Sequence, residues 1–195
     1  MVSPQKLIVI SAPSGSGKTT IARAILSRHP ELEFSVSATT RKKRPNEVHG
    51  TDYFFLSPEE FKAQIAAGLL VEWEEIYGNH YGTLKSEVDR VLAAGRPMLF
   101  DIDVKGALSI RKRYPAESVL IFVRPPSMEV LVNRLRGRKT EDPETLKRRL
   151  ERAEMELETG KHFDATVVND RLEDAIEEVD AIVCRKLGIP TAIRK

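Results

Sequence analysis

"LIVISAPSGSGKTTIARAI", residues 7–25, joins an apolar run to a helical pattern through a glycine-rich turn. Leu7 to Ser11 is a continuous apolar run of the kind that a strand buried on both faces requires. From Gly17 to about Arg28 the apolar positions (Ile21, Ala22, Ile25) recur at helical spacing. The turn between them is rich in glycine. Gly15 and Gly17 let backbone N–H groups turn inward around an anion. The helix that follows presents its positive end to the same point. Lys18 is placed to reach the β- and γ-phosphates of a nucleoside triphosphate, and Thr19 to offer its hydroxyl to Mg²⁺. The pattern Gly-x-x-x-x-Gly-Lys-Ser/Thr is met except at its first position, Ala12. The whole run of Ser11, Ala12, Pro13, Ser14, Gly15, Ser16, Gly17, Lys18, Thr19 and Thr20 is therefore read as a triphosphate cradle. The cradle alone does not decide between hydrolysis, transfer and simple binding.

Further buried strands follow at 97–103 (PMLFDID), 118–123 (SVLIFV) and 165–169 (ATVVN). Helical patterns trail them at 104–113, from Ser127 to about Arg136, and up to about Leu187. Strands of this kind alternating with helices predict an α/β fold: a parallel sheet covered by helices on both faces, with right-handed crossovers. Two segments break the rhythm. Residues 34–83 carry short strands ("FSVSA", "DYFFL", "LLVEWEEI") and one helix opened by Ser57-Pro58-Glu59-Glu60, a capping box with proline at the first helical position. This is read as a small mixed α/β insertion. Residues 137–160 are a charged helix without strand character, and 134–160 is the expected mobile lid. The expected organisation is one domain, 1–195: a core of 5–33, 84–133 and 161–187, the insertion, the lid, and a short tail at 188–195.

Bulk composition narrows the function classes. The chain has 195 residues and 41% hydrophobic content, enough for one domain with a real core. The 31 basic and 29 acidic residues leave a net charge of +2, which argues against a dedicated nucleic-acid binder. The longest apolar run, near "VLIFV", is far short of a membrane span, and the start "MVSPQK" lacks the features of a secretory signal. The single cysteine, Cys184, excludes an internal disulfide, suits a reducing cytosol and is read as packing. His29, His49, His80 and His162 are scattered, so a protein-built metal site is not expected. Trp73 alternates with Glu72 and is read as core.

Downstream of the cradle, "SVSATTRKKRPNEVHGTDYFFL" brings Arg41, Arg44 and Tyr53, and "EWEEIYGNHYGT" brings Glu72, Tyr81 and Thr83. "FDIDVKGA" ends a buried strand in Asp101 and Asp103. With the cradle, the matching segments "TTR..RP.EVHG.DY.F", "GN.YGT", "DID..GA", "RL.GR" and "VND" run in order from residue 7 to about 187. In this combination the chain closely resembles the guanylate kinase family, P-loop nucleoside monophosphate kinases that phosphorylate GMP with ATP.

The resemblance implies a P-loop NTPase-type core, MgATP in the cradle, and GMP in the insertion. It assigns Arg41, Arg44, Tyr53 and Tyr81 to the GMP phosphate. Guanidinium forks suit that dianion, since they take its oxygens in pairs. It assigns Glu72, with Ser37 and Thr83 helping, to the guanine edge, where a carboxylate accepts from N1–H and the 2-amino group together. The residues alone do not separate Glu72 from Glu74 and Glu75. The resemblance further places Asp101 near Mg²⁺ and the guanine side with Asp103 beside it; Asp103 as a helix cap is the competing reading. It selects Lys18, Arg134, Arg138 and Arg149 as catalytic cations, with Arg136, Lys139, Arg148 and Arg152 facing solvent or pairing with Glu151, Glu154 and Glu156. Asn169 of "VND" is expected near the adenine. ATP and GMP are the implied partners, and the cytoplasm the implied place. Departures from the family pattern are Asn46, where glycine is common, and Lys139 in place of the second glycine of "GRG".

Overall fold

The computed structural model of the protein describes residues 6–76, 78–136 and 143–189. At its centre runs β1 (Leu7–Ser11), buried along its whole length. It pairs in parallel with β7 (Met98–Asp101) on one side and β8 (Ser118–Arg124) on the other. β2 (Glu33–Phe34) and β9 (Ala165–Val168) complete a parallel sheet of order β2-β7-β1-β8-β9.

The two-residue period of β1 sorts its side chains to two helical layers. Ile8 and Ile10 meet Ile21 and Ile25 of α1 (Lys18–Arg28) and Val179 and Val183 of α7 (Leu172–Leu187). Leu7 and Val9 meet Val88 and Val91 of α3 (Lys85–Ala93) and Ala107 and Ile110 of α4 (Val104–Arg113). Burying each of the larger aliphatic chains contributes about 1.5–3 kcal/mol, so the strand leading into the cradle is firmly held.

The second sheet has the order β4-β3-β6-β5, from β3 (Ala38–Thr39), β4 (Phe54–Phe55), β5 (Leu70–Ile76) and β6 (Asn79–Leu84). β3 and β4 are parallel, and the other pairings are antiparallel. α2 (Pro58–Ala66) opens with both halves of its capping box formed and buries Phe61 against Ala38 and Leu70. Beyond the core, α5 (Met128–Arg136) packs Leu131 and Leu135 against Ala153 of α6 (Pro143–Gly160).

Several expectations shift. "FSVSA" is not one strand: Phe34 pairs with Leu99 in the core sheet, and Ala38 with Gly82 in the insertion sheet. "GNHYGT", read only as a motif, forms β6. Trp73 is not core. It does point away from Glu72, but β5 is the edge strand, the nine-residue α2 covers the inner strands, and Trp73 stays 48% exposed beside His80. β7 stops at Asp101, so Asp103 lies off the strand, as the N-cap of α4.

Candidate active site

The cradle needs its two glycines for stated geometric reasons. Gly15 and Gly17 have φ of 92° and 84°, left-handed values that side chains rarely adopt. A Cβ on Gly17 would also stand 2.5 Å from the Asn169 amide nitrogen. That amide is buried and donates to the Ser16 carbonyl at 2.8 Å, so the end of β9 props the loop from behind. Lys18 Nζ lies 2.7 Å from Asp101 Oδ1 and donates to the Ile102 carbonyl at 3.1 Å. The Thr19 hydroxyl donates to Asp101 Oδ2 at 2.8 Å. The register that sets Ile10 beside Asp101 brings the two ends of neighbouring strands to this one carboxylate. A hydroxyl and a carboxylate side by side are hard oxygen donors, and they fit Mg²⁺.

A cavity opens over this loop. Ala12, Pro13, Ser14, Gly15, Gly17, Lys18, Thr19 and Thr20 form its floor, and Arg149, Arg152 and Glu156 of α6 its far wall. Ser11 is fully buried at the end of β1, and Ser16 is buried within the turn. A second cavity adjoins, lined by Ser37, Tyr53, Glu72, Glu74, Tyr81, Gly82 and Asp101. Lys18, Thr19, Ile76 and Asp103 belong to both, so the two form one continuous cleft.

In the second cavity Glu72 accepts from the Thr83 hydroxyl at 2.6 Å. Burial pushes its carboxyl up to about 7 against the pull of that hydrogen bond, and the nearby Asp103 charge adds to the rise. A Cβ on Gly106, in the first turn of α4, would lie 2.8 Å from Glu72 Oε2. Gly106 thus makes room for the carboxylate. The Tyr53 and Tyr81 rings meet edge to face at 6.2 Å, and burial raises the Tyr53 hydroxyl above its ordinary value.

The arginines are placed unevenly. Arg41 lies beside this cavity without lining it. Its guanidinium forks onto Glu47 at 2.6 and 3.1 Å and sits 5.2 Å from the centre of the Tyr53 ring. The hydrogen bond to Glu47 raises Arg41 further, and Glu47 is correspondingly held below the usual carboxylate range. The Arg44 amide donates to the same Glu47 at 2.8 Å, while its side chain does not line the cleft. Arg149 lines the first cavity. Arg134 instead donates to the Asn169 and Asp170 carbonyls at 3.0 and 3.4 Å. Arg138 and Lys139 lie outside the described residues.

Two readings are corrected here. Asp103 does cap α4, its Oδ1 accepting from the Gly106 amide at 2.7 Å, while Oδ2 faces the cleft. Arg152 pairs with Glu156 as expected, yet it does not face solvent: it reaches Glu74 and Asp103 at 2.9 and 3.1 Å. Gly106, Glu74, Arg152 and Glu156 are the site residues that the sequence reading missed. Glu74 was within reach, since it shares a strand face with Glu72, and so was Arg152, one helical turn from Arg149.

Away from the cleft, His29, Asp180 and Cys184 converge in the core despite their wide spacing in sequence. His29 Nε2 and Asp180 Oδ1 are 2.7 Å apart, a direct hydrogen bond. Ligand atoms in a tetrahedral zinc site stand about 3.3 Å apart. The group is therefore a buried staple between the end of α1 and α7.

Comparison with known proteins follows the same lines. A model of the guanylate kinase family matches residues 4–186. A guanylate kinase of Chlorobium luteolum is 52% identical over 174 residues, covering 89% of this chain and 88% of the relative. One from Salinibacter ruber is 52% identical over 175 residues, covering 89% and 93%. The crystal structure of guanylate kinase from Anaplasma phagocytophilum superposes with a TM-score of 0.76 at 30% identity, over 95% of this chain and 87% of that one. A gluconokinase from Sinorhizobium meliloti, 18% identical with a TM-score of 0.52, shares the fold.

Proposed function

The chain belongs to the guanylate kinase family, whose reaction is ATP-dependent phosphorylation of GMP, and we propose that it runs this reaction across the cleft just described. The observation that carries the reading is the shared lining: the donor and acceptor cavities meet at Lys18, Thr19 and Asp103. Residues 34–83 act as the acceptor insertion and 134–160 as the lid on a core of the remaining sheet and helices.

In this reading Ser11 to Thr20 hold the ATP phosphates, with Asn169 fixing the loop and Arg134 bracing the turn beside it. Thr19 and Asp101 would hold the Mg²⁺ that family members generally use with ATP. When bound, that ion would neutralise part of the phosphate charge. Ser37, Glu72 and Thr83 read guanine, while Arg41, Arg44, Tyr53 and Tyr81 take the GMP phosphate. The GMP phosphate oxygen attacks the γ-phosphorus in line, and ADP leaves. That oxygen is largely ionised near neutral pH, so no strong general base is required. Lys18 and Arg149, joined by Arg138 and by Arg134 once it leaves the Asn169 and Asp170 carbonyls, stabilise the charge of the transferring group, and closure keeps water out.

The Arg41 guanidinium is tied to Glu47 in the free protein, so GMP phosphate must take it over from that carboxylate. A cytoplasmic setting is part of the proposal, supported by the single cysteine. No helix among the described residues is long and apolar enough to cross a membrane. The test is ADP formation from MgATP with and without GMP. The account expects strict dependence on GMP; ADP release at equal rates without it would contradict the two-site cleft.

A further inference from the structure

Arg152 lies where three parts of the molecule meet. It projects from α6 in the lid. Its Nη2 donates to Glu74 Oε2 of the insertion strand β5 at 2.9 Å and to Asp103 Oδ2 of the core at 3.1 Å. Its Nε donates to Glu156 Oε1, one turn along α6, at 3.0 Å. One planar fork with five N–H donors can serve three carboxylates at once; an ammonium cannot do so with the same geometry. The four side chains are largely withdrawn from solvent, at 25%, 14%, 13% and 5% exposure for Arg152, Glu74, Asp103 and Glu156. Ion pairs so withdrawn are worth more than those on an open surface.

The contact also answers an electrostatic problem. The acceptor cavity is lined by Glu72, Glu74, Asp101 and Asp103, yet it adjoins a loop built for one polyanion and is proposed to take another. Lys18 faces Asp101, and Lys105 reaches the other oxygen of Glu74 at 3.3 Å. Arg152 supplies the remaining cation, on Asp103 and Glu74. Asp103 is in turn bonded to the Gly106 amide, the residue against which Glu72 packs.

We propose that Arg152 is a positioning residue for phosphoryl transfer: it holds the lid on the acceptor insertion through Glu74 and Asp103, sets Arg149 over the cradle one turn away, and screens the acidic wall from the arriving nucleotides. The role rests on the two-site reading above. It is separate from the charge-stabilising arginines of that reading, because in this structure Arg152 spends its donors on protein carboxylates.

The test is a set of four variants, Arg152→Ala, Arg152→Lys, Glu74→Gln and the double Arg152→Ala with Glu74→Gln. Each is assayed for kcat, for KM of GMP and of ATP, and for Tm. Arg152→Ala is expected to lower Tm, because three withdrawn carboxylates lose their shared cation, and beyond that to raise the GMP KM about tenfold and lower kcat several-fold while the ATP KM changes less. Adding Glu74→Gln is expected to recover part of that loss, because it removes one of the uncovered charges. Arg152→Lys is expected to fall between wild type and Arg152→Ala, and it decides the matter should the alanine variant fail to fold. Wild-type kinetics in Arg152→Lys and Arg152→Ala would overturn the proposal, as would effects of the two sites that simply multiply. A wild-type enzyme without GMP-dependent turnover would overturn the underlying reading instead, so the two failures are distinguishable.

Discussion

The cradle hangs from a strand with no exposed residue, while the acceptor insertion rests on a sheet in which two of the four strands are two residues long. The donor side is assembled before substrate arrives: Lys18 and Thr19 already share Asp101, and Asn169 already braces Ser16. The acceptor side is occupied by its own groups. Arg41 is held by Glu47 and Glu72 by Thr83. The small cluster of Ala38, Phe61 and Leu70 carries far less buried surface than the layers around β1. At the cradle the loop backbone is a fixed frame braced by Asn169, and the side chains of Lys18 and Thr19 exchange Asp101 for ligand; at the insertion the proposed phosphate and base contacts both begin from internal partners.

Four perturbations separate the two sides of the cleft. Lys18→Ala removes a preorganised cation at the transferring group. The expected loss is about 4 kcal/mol, or about a thousandfold in kcat, with the fold intact. A coupled ADP assay beside a thermal melt reads both, and a loss under tenfold would show that the cradle is not where the rate is made. Glu72→Gln leaves the guanine donors facing an amide. We expect about 2–4 kcal/mol lost from kcat/KM for GMP and little change in the ATP KM.

The third point is pH. Burial pushes the Glu72 carboxyl up to about 7 in the free protein, and the proposed guanine contact requires it ionised. The ionised fraction falls about tenfold between pH 8 and pH 6, so Glu72 should lower kcat/KM for GMP by that factor on top of the smaller fall from the substrate phosphate. Glu72→Gln should lose this component and keep only the one near pH 6 from the substrate phosphate. Stability runs the other way. A carboxyl raised on folding contributes stability at low pH that is lost as pH rises through about 7, so the Tm of the free protein should decline across that window, and less so in Glu72→Gln. The smallest effect is Gly106→Ala. Alanine favours a helix by about 1 kcal/mol, yet its Cβ would crowd Glu72 Oε2 at 2.8 Å. The expected result is a GMP KM raised about fivefold with ATP KM and Tm held or improved. An unchanged GMP KM would show that Glu72 moves freely.

The same contrast explains what was legible in the sequence. Leu7–Ser11 and Ser118–Val123 are continuous apolar runs because helices cover both faces, and such runs announce a parallel sheet. Gly15 and Gly17 announce the turn because only glycine takes its backbone. In the insertion, Ala38–Thr39 and Phe54–Phe55 are too short to show a period, so "FSVSA" reads as one strand across a boundary. Trp73 reads as core because alternation tells which residues share a face, not whether anything covers it. Asp103 and Asp101 look alike in "DID", and only the end of β7 between them makes one a cap. Arg152 and Glu74 lie 78 residues apart, and no local pattern points one at the other. The bonds that join the parts across the cleft are the ones a linear reading could not find.

The most direct test is a single panel of initial rates with MgATP and GMP, AMP, UMP or CMP, run on the wild-type protein and on Glu72→Gln. GMP is expected far ahead of the other three in the wild type, with that lead collapsing in the variant. AMP outrunning GMP, or a variant that keeps the wild-type preference, would contradict the assignment of Glu72 as the residue that reads guanine.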